Sequence, residues 1–201
     1  MIEFLQPTAI VDWTHPAVSK KAVELCHDSD VVATAKACFE FVRDQISHSR
    51  DAERDPATCM ASDVLLHRTG YCYAKSHLLA ALLRANGIPA GFCYQRLSIN
   101  DSGPPYSLHG FNAIYLPEFG WYRVDARGNR PKVEAQFCPP REQLAFRVQS
   151  SEEYQFENIF PDPLDVVTNI LQSSSGWRDV LVSLPDIEPN EFNTLGLIVS
   201  Q

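Results

Sequence analysis

A chain of 201 residues with 45% hydrophobic and 21% charged side chains is long enough to bury a core and has a globular composition. Its net charge of −8 argues against nucleic acid and against an anionic membrane surface as partners, since both attract a basic footprint. The opening stretch, Met1 to Trp13, has no basic region followed by an unbroken apolar core, and no apolar run approaches the ~20 residues of a membrane-spanning helix, so the expected compartment is the cytoplasm.

Residues 1–17 read as an irregular arm anchored by Phe4, Leu5, Ile10, Val11 and Trp13, with a short helix near 17–27. Residues 30–47 predict a helix that Ser29 or Asp30 can cap. Its apolar positions Val31, Val32, Ala35, Cys38, Phe39, Val42 and Ile46 recur at helical spacing. Residues 48–61 are polar, contain Pro56 and read as a loop. Ser62 is placed to cap a short helix through Val64, Leu65 and Leu66 that ends before Gly70. A second strong helix spans 72–86, closed by Gly87 and Pro89. Ala74, Leu78, Leu79, Ala81, Leu82 and Leu83 make it too apolar for a surface, so it is expected at the centre.

Strands follow: 90–98, then a hairpin of 109–116 and 121–126 around Pro117-Glu118-Phe119-Gly120, with the loop Asn100 to Ser107 between. Helices are expected near 163–172, where Asp162-Pro163 gives a cap and a first helical proline, and at 174–183. The whole reads as one α+β domain over 1–201. It has a core at about 30–130, an N-terminal arm over 1–29 and a mainly helical C-terminal extension over 131–201.

The six cysteines, at 26, 38, 59, 72, 93 and 138, are widely and irregularly spaced and include no Cys-x-x-Cys pair. Free thiols are expected, with no zinc site, no other metal and no cofactor. Cys26, Cys38 and Cys93 have apolar neighbours and read as small core residues.

Cys72 differs. A thiol attacks as thiolate, and a helix N-terminus, a nearby histidine and a group orienting that histidine all favour this form. Cys72 opens the 72–86 helix just after Gly70-Tyr71, where unpaired N–H groups favour negative charge and its own N–H is available to an oxyanion. His109 opens a strand after a Gly-Pro-Pro-Tyr loop, and Asp125 lies near the end of the hairpin partner. A five-residue connection, 116–120, sets Tyr115 opposite Trp121 and Asp125 opposite Phe111, diagonal to His109 on one face. Diagonal neighbours lie ~7–8 Å apart, within reach of an imidazole and a carboxylate. A connection one residue shorter would turn Asp125 to the other face.

Singly, such a cysteine is more often structural, such a histidine a surface residue and such an aspartate a turn residue. Their order on these elements favours the catalytic reading. Lys75 is expected in solvent, Gln45 is an oxyanion candidate by chemistry alone, and His77 projects away from Cys72. Trp121 and Tyr122 read as hairpin packing. One of Arg84, Arg96, Arg123 and Arg127 could anchor a carboxylate, and nothing in the sequence selects it.

These segments resemble the transglutaminase-like branch of the papain-type thiol enzymes, in particular its small bacterial-type members. The matching stretches are Phe41-Val42-Arg43-Asp44, Ala61-Ser62-Asp63-Val64-Leu65, the run from Gly70 through Cys72 to Ala90, then His109, and Gly120-Trp121-Tyr122-Arg123-Val124-Asp125. The resemblance covers roughly residues 30–130 and implies a papain-like core, with the nucleophile-bearing helix packed on an antiparallel sheet. It implies Cys72 as nucleophile, His109 as general base and then acid, and Asp125 as the residue orienting the imidazole. Two positions depart from the family pattern: His109 is followed by Gly110-Phe111-Asn112-Ala113 without an acidic residue, and Ala126 stands where proline is common. The implied activity is acyl transfer from a peptide or amide substrate through a thioester, resolved by water in a peptidase or amidase, or by an amine in a transglutaminase. Hydrolysis is the favoured outcome. The alternative is a catalytically inactive relative serving as a binding module.

Overall fold

The computed structural model describes residues 1–100 and 103–192. A 3-10 turn at Ile2–Leu5 is followed by α1 (Pro16–Glu24) and α2 (Val31–Gln45). Asp30 caps α2, its Oδ1 accepting from the Ala33 N–H at 2.8 Å. The stretch expected as a loop holds β1 (Ser47–His48) and the single turn α3 (Ser49–Ala52). Helix α4 (Ala61–His67) starts one residue before Ser62, with Met60 at its N-cap and no side-chain cap. Ser62 therefore lies inside the first turn, and its N–H donates to Asp12 at 3.0 Å. β2 (Thr69–Gly70) pairs with β1 in parallel and leads into α5 (Cys72–Ala85).

The main sheet is antiparallel. It contains β3 (Ala90–Ser98), β4 (Tyr106–Leu116) and β5 (Gly120–Val124). Tyr115 pairs with Trp121 and Asn112 with Val124, as the five-residue connection requires. β5 closes at Val124, so Asp125 lies one residue past the paired region and Ala126 outside the strand. Residues 101 and 102 of the β3–β4 loop lie outside the described residues.

Past Pro131 come β6 (Gln136–Cys138), β7 (Arg141–Gln143), β8 (Tyr154–Gln155), α6 (Asp165–Ser173), α7 (Trp177–Val182) and α8 (Pro189–Phe192). Leu164, not Asp162, sits at the N-cap of α6. The last nine positions of the extension, 193–201, lie outside the described residues. Helices α6 and α7 fall where helices were expected, α8 does not, and β6, β7 and β8 are too short to show a two-residue period. β8 extends the sheet to the order β5-β4-β3-β8, and Phe160 continues along β3 by bridging Phe92. Gly91 permits this approach: a Cβ there would lie 2.5 Å from Ile159 Cγ2 and 2.9 Å from the Phe160 carbonyl oxygen.

Helix α5 is the centre of the molecule, with every residue from Cys72 through Arg84 buried. Its polar members are buried because each has a partner. Ser76 Oγ donates to the Cys72 carbonyl at 2.8 Å, and the His77 ring meets the Cys59 carbonyl at 2.8 Å. Arg84 donates to the carbonyls of Ala90, Gln6 and Pro161. Lys75, expected in solvent, is fully buried, and its ammonium donates to the carbonyls of Arg43 and Ile46 at the end of α2. Those carbonyls have no intrahelical partner, which is why a cation is accommodated there. Cys38 and Cys93 are core residues, but Cys26 is exposed. It follows the last turn of α1, and apolar sequence neighbours do not bury a residue in a connection.

Candidate active site

Cys72 occupies the first position of α5, with Tyr71 at the N-cap and no side chain bonding the first turn's N–H groups. This end of the helix dipole stabilises a nearby negative charge by about 0.3–1 kcal/mol in exposed settings and more where partly buried. Cys72 is 7% exposed and lines a cavity of about 300 Å³. All six cysteines are free. Burial pushes the thiols of Cys38, Cys59 and Cys93 up to about 12, so these three are poor nucleophiles.

His109 lies on β4, which packs against α5, and shares the cavity wall with Cys72. Its Nε2 is 2.7 Å from Asp125 Oδ2. Asp125 is held from three sides. Oδ2 also accepts from the Ala145 N–H at 3.1 Å, and Oδ1 accepts from the Arg127 N–H at 3.0 Å. The carboxylate side chain is fully buried and the imidazole 7% exposed. Burial opposes charge on both groups, but the pairing outweighs it. The imidazole is raised to about 10 by Asp125 and by the charge and hydrogen bond of Cys72. Asp125 is lowered by His109 and by its two backbone donors. With Nε2 committed to Asp125, Nδ1 is the ring atom left for the thiol.

The three residues singled out in the sequence are thus brought together. Gly110 lets β4 come close: a Cβ there would lie 2.8 Å from Cδ1 of Tyr73, the residue after Cys72. The Tyr73 hydroxyl donates to the Leu108 carbonyl, the residue before His109. Tyr73 alone therefore ties the helix to the strand on both sides of the candidate base. Phe146, from the extension, packs edge-on against the His109 ring at 4.9 Å.

Gln45 is exposed and away from the cavity, and His77 faces Cys59. Trp121 packs on Phe4, and Tyr122 is buried with its hydroxyl donating to the Arg141 carbonyl. Arg84 bonds carbonyls, Arg96 pairs with Asp186 and Glu188, and Arg123 with Glu157. Arg127 alone of the four lines the cavity, forked onto Asp51 at 2.6 and 3.0 Å.

The sequence did not single out His48, a buried residue on the cavity wall whose Nδ1 has no hydrogen-bond partner. Burial, then the charges of Arg127 and Lys75, hold its ring well below the ordinary histidine range, so it is neutral. Its place three residues past a helix end gave no signal. Phe146 and Ala145 were equally unmarked, since they reach His109 and Asp125 only through tertiary folding. Among the described residues no group of three or more His, Cys, Asp or Glu side chains is arranged to hold a metal ion, and no helix is long and apolar enough to cross a membrane.

Against known proteins, a family model for the transglutaminase-like superfamily matches residues 17–126. A solved structure of a proposed cysteine protease from Cytophaga hutchinsonii is 22% identical, with a TM-score of 0.50 over 63% of this chain and 41% of that one. The periplasmic domain of TgpA from Pseudomonas aeruginosa is 25% identical, with a TM-score of 0.45 over 61% of this chain and 45% of that one. The chain thus spans less than half the length of these solved structures, and the first likeness concerns the fold. No curated protein matches it.

Proposed function

The chain belongs to the transglutaminase-like superfamily, and from that premise we propose that it catalyses cysteine-dependent acyl transfer on an amide bond, with Cys72 as nucleophile, His109 as acid–base and Asp125 as its orienting partner. The observation that carries the reading is the 2.7 Å bond from His109 to a fully buried Asp125 beside a thiol at a helix start. An isolated buried carboxylate is costly, and a bound imidazolium offsets that cost.

In the proposed reaction the Cys72 thiolate attacks the amide carbonyl, forming a carbon–sulfur bond and a tetrahedral oxyanion. The Cys72 N–H, at the uncapped helix start, is the donor available to that oxyanion. Collapse breaks the carbon–nitrogen bond, and His109 gives its proton to the departing amine, leaving a thioester. Neutral His109 then takes a proton from water as water attacks the thioester. The acid is released and the thiolate–imidazolium pair restored. Asp125 keeps the ring in one orientation and stabilises its charged form throughout. An amine in place of water would give transamidation with the same residues. We assign hydrolysis, because the cavity is open to solvent and water is the nucleophile always present.

The test is competitive alkylation at mildly acidic pH with iodoacetamide, read by mass spectrometry at each cysteine. Cys72 is expected to label ahead of the more accessible Cys26 and Cys138, and His109→Ala to abolish that lead. Labelling in order of exposure would sink the reading.

A further inference from the structure

The cavity that holds Cys72 has a charge unlike that of the chain around it. The protein carries 17 basic and 25 acidic side chains. The cavity wall instead has four arginines, Arg50, Arg127, Arg130 and Arg147, and two carboxylates, Asp51 and Glu153.

Both carboxylates are already committed. Asp51 receives the Arg127 fork at 2.6 and 3.0 Å and lies 3.6 Å from Arg130 Nε. Glu153 is buried and accepts from the backbone N–H groups of Ser98 at 3.0 Å and Gln149 at 2.7 Å. Arg50 and Arg147 are exposed, and among the described residues no acidic side chain pairs with either. His48 on the same wall is neutral and does not alter the balance.

We propose that Arg50 and Arg147 form an anion subsite beside Cys72, and that the substrate is a peptide or amide carrying a carboxylate close to the bond attacked. The proposal rests on the reading of Cys72 as nucleophile and adds the class of acyl group it takes. Guanidinium groups present paired N–H donors that match a carboxylate. A cleft with one excess sign concentrates counter-charged ligands in a way that salt weakens. An acidic surface elsewhere keeps the same ligands from binding at random.

The experiment compares two alkylating agents of nearly equal size on the full chain at neutral pH. Iodoacetate is anionic and iodoacetamide neutral. Each forms a carbon–sulfur bond at Cys72 and releases iodide. The ratio of their rate constants at Cys72 is expected to fall about tenfold in the Arg50→Gln, Arg147→Gln double variant, and to fall with added salt in the unaltered protein. The Lys36→Gln variant, on α2 and away from the cavity, is expected to leave the ratio unchanged. A ratio unmoved by both the double variant and salt overturns the subsite while leaving Cys72 a nucleophile. Labelling of Cys72 no faster than Cys26 by either reagent overturns the premise, and the subsite with it. Protection assays locate the carboxylate: N-acetylglutamate α-amide carries it on the side chain and N-acetylglutamine at the terminus. Protection by either, with none from N-acetylglutamine amide, supports the subsite; equal protection by all three overturns it.

Discussion

The ring of Tyr73 occupies the space that a side chain on Gly110 would need, 2.8 Å from where its Cβ would stand. One residue follows the candidate nucleophile and the other follows the candidate base, so this contact sets how close α5 and β4 approach. A Gly110→Ala variant must move an aromatic ring held by its hydroxyl to the Leu108 carbonyl. Overpacking of this kind costs about 1–3 kcal/mol. The expected outcome is a lowered melting temperature together with slower Cys72 alkylation. Tyr73→Leu in the same chain should restore part of the loss, so that the two changes are non-additive.

Asp125 tests the pair directly. Asp125→Asn keeps the size of the side chain and removes its charge. The His109 imidazole, raised to about 10 in the native pair, should titrate much lower, which ring-proton NMR can follow. Acyl transfer should drop about 10²- to 10⁴-fold, because the imidazolium loses its stabiliser and the ring its fixed orientation. An unchanged His109 titration would show that the pair is not coupled.

Much of this geometry was legible because it is local. The α5 start comes from Gly70-Tyr71-Cys72, and the register that turns Asp125 toward His109 comes from counting the residues between Tyr115 and Trp121. What was not legible is set by distant chain. Lys75 reads as a solvated residue until the end of α2, some thirty positions earlier, is laid over it. Arg127 is one arginine among several until Asp51 faces it. Ala145 and Phe146 carry no motif, since one acts through its backbone N–H and the other by shape.

The pH dependence follows from the two shifts. His109 moves from 6.5 to about 10, so the folded state holds its proton longer than the unfolded chain. Its contribution to stability is complete below pH 6.5 and is lost as pH rises through about 10. Asp125 is lowered from 3.8, so its contribution is present above pH 3.8 and is lost as pH falls through the lower folded value. Turnover needs a protonated His109 to release the amine, whereas alkylation needs only the thiolate. Above about pH 10 amide cleavage should therefore decline while iodoacetamide labelling persists. A parallel decline of both would argue against His109 as the acid.

Lys75 gives a slope of its own. Burial, then the charge of Arg127, lowers it from 10.5 to about 7 against the pull of Asp125, Asp44 and Asp51. Its folded state binds fewer protons than its unfolded state between those values, so wild-type stability should rise with pH across that interval. Lys75→Met lacks the titrating group. Its stability relative to wild type should improve as pH falls from 10.5 toward 7, by on the order of a few kcal/mol. The unpaired Arg43 and Ile46 carbonyls work against the variant at every pH. Denaturant titrations of both proteins across the range read the difference, and parallel curves would refute it.

The extension is expected to be indispensable to the core it follows. β8 and Phe160 pair with β3 through Gln95, Arg96 and Phe92, covering an edge that would otherwise present unpaired N–H and C=O groups. Phe192 stacks on Phe156 at 3.5 Å and packs against Tyr94, closing one side of the core. The Tyr71 hydroxyl, beside Cys72, donates to the Trp177 carbonyl at 2.7 Å. Ala145 supplies one of the bonds that hold Asp125 ionised. A chain ending at residue 130 loses all of these at once, leaving the Tyr71 hydroxyl and a sheet edge without partners and the Asp125 carboxylate with one backbone donor fewer. Such a chain should bind a hydrophobic dye, show no cooperative thermal transition and give no preferential labelling of Cys72. A cooperative melt with selective labelling would mean that residues 17–126 form the working unit alone and that the extension only decorates it.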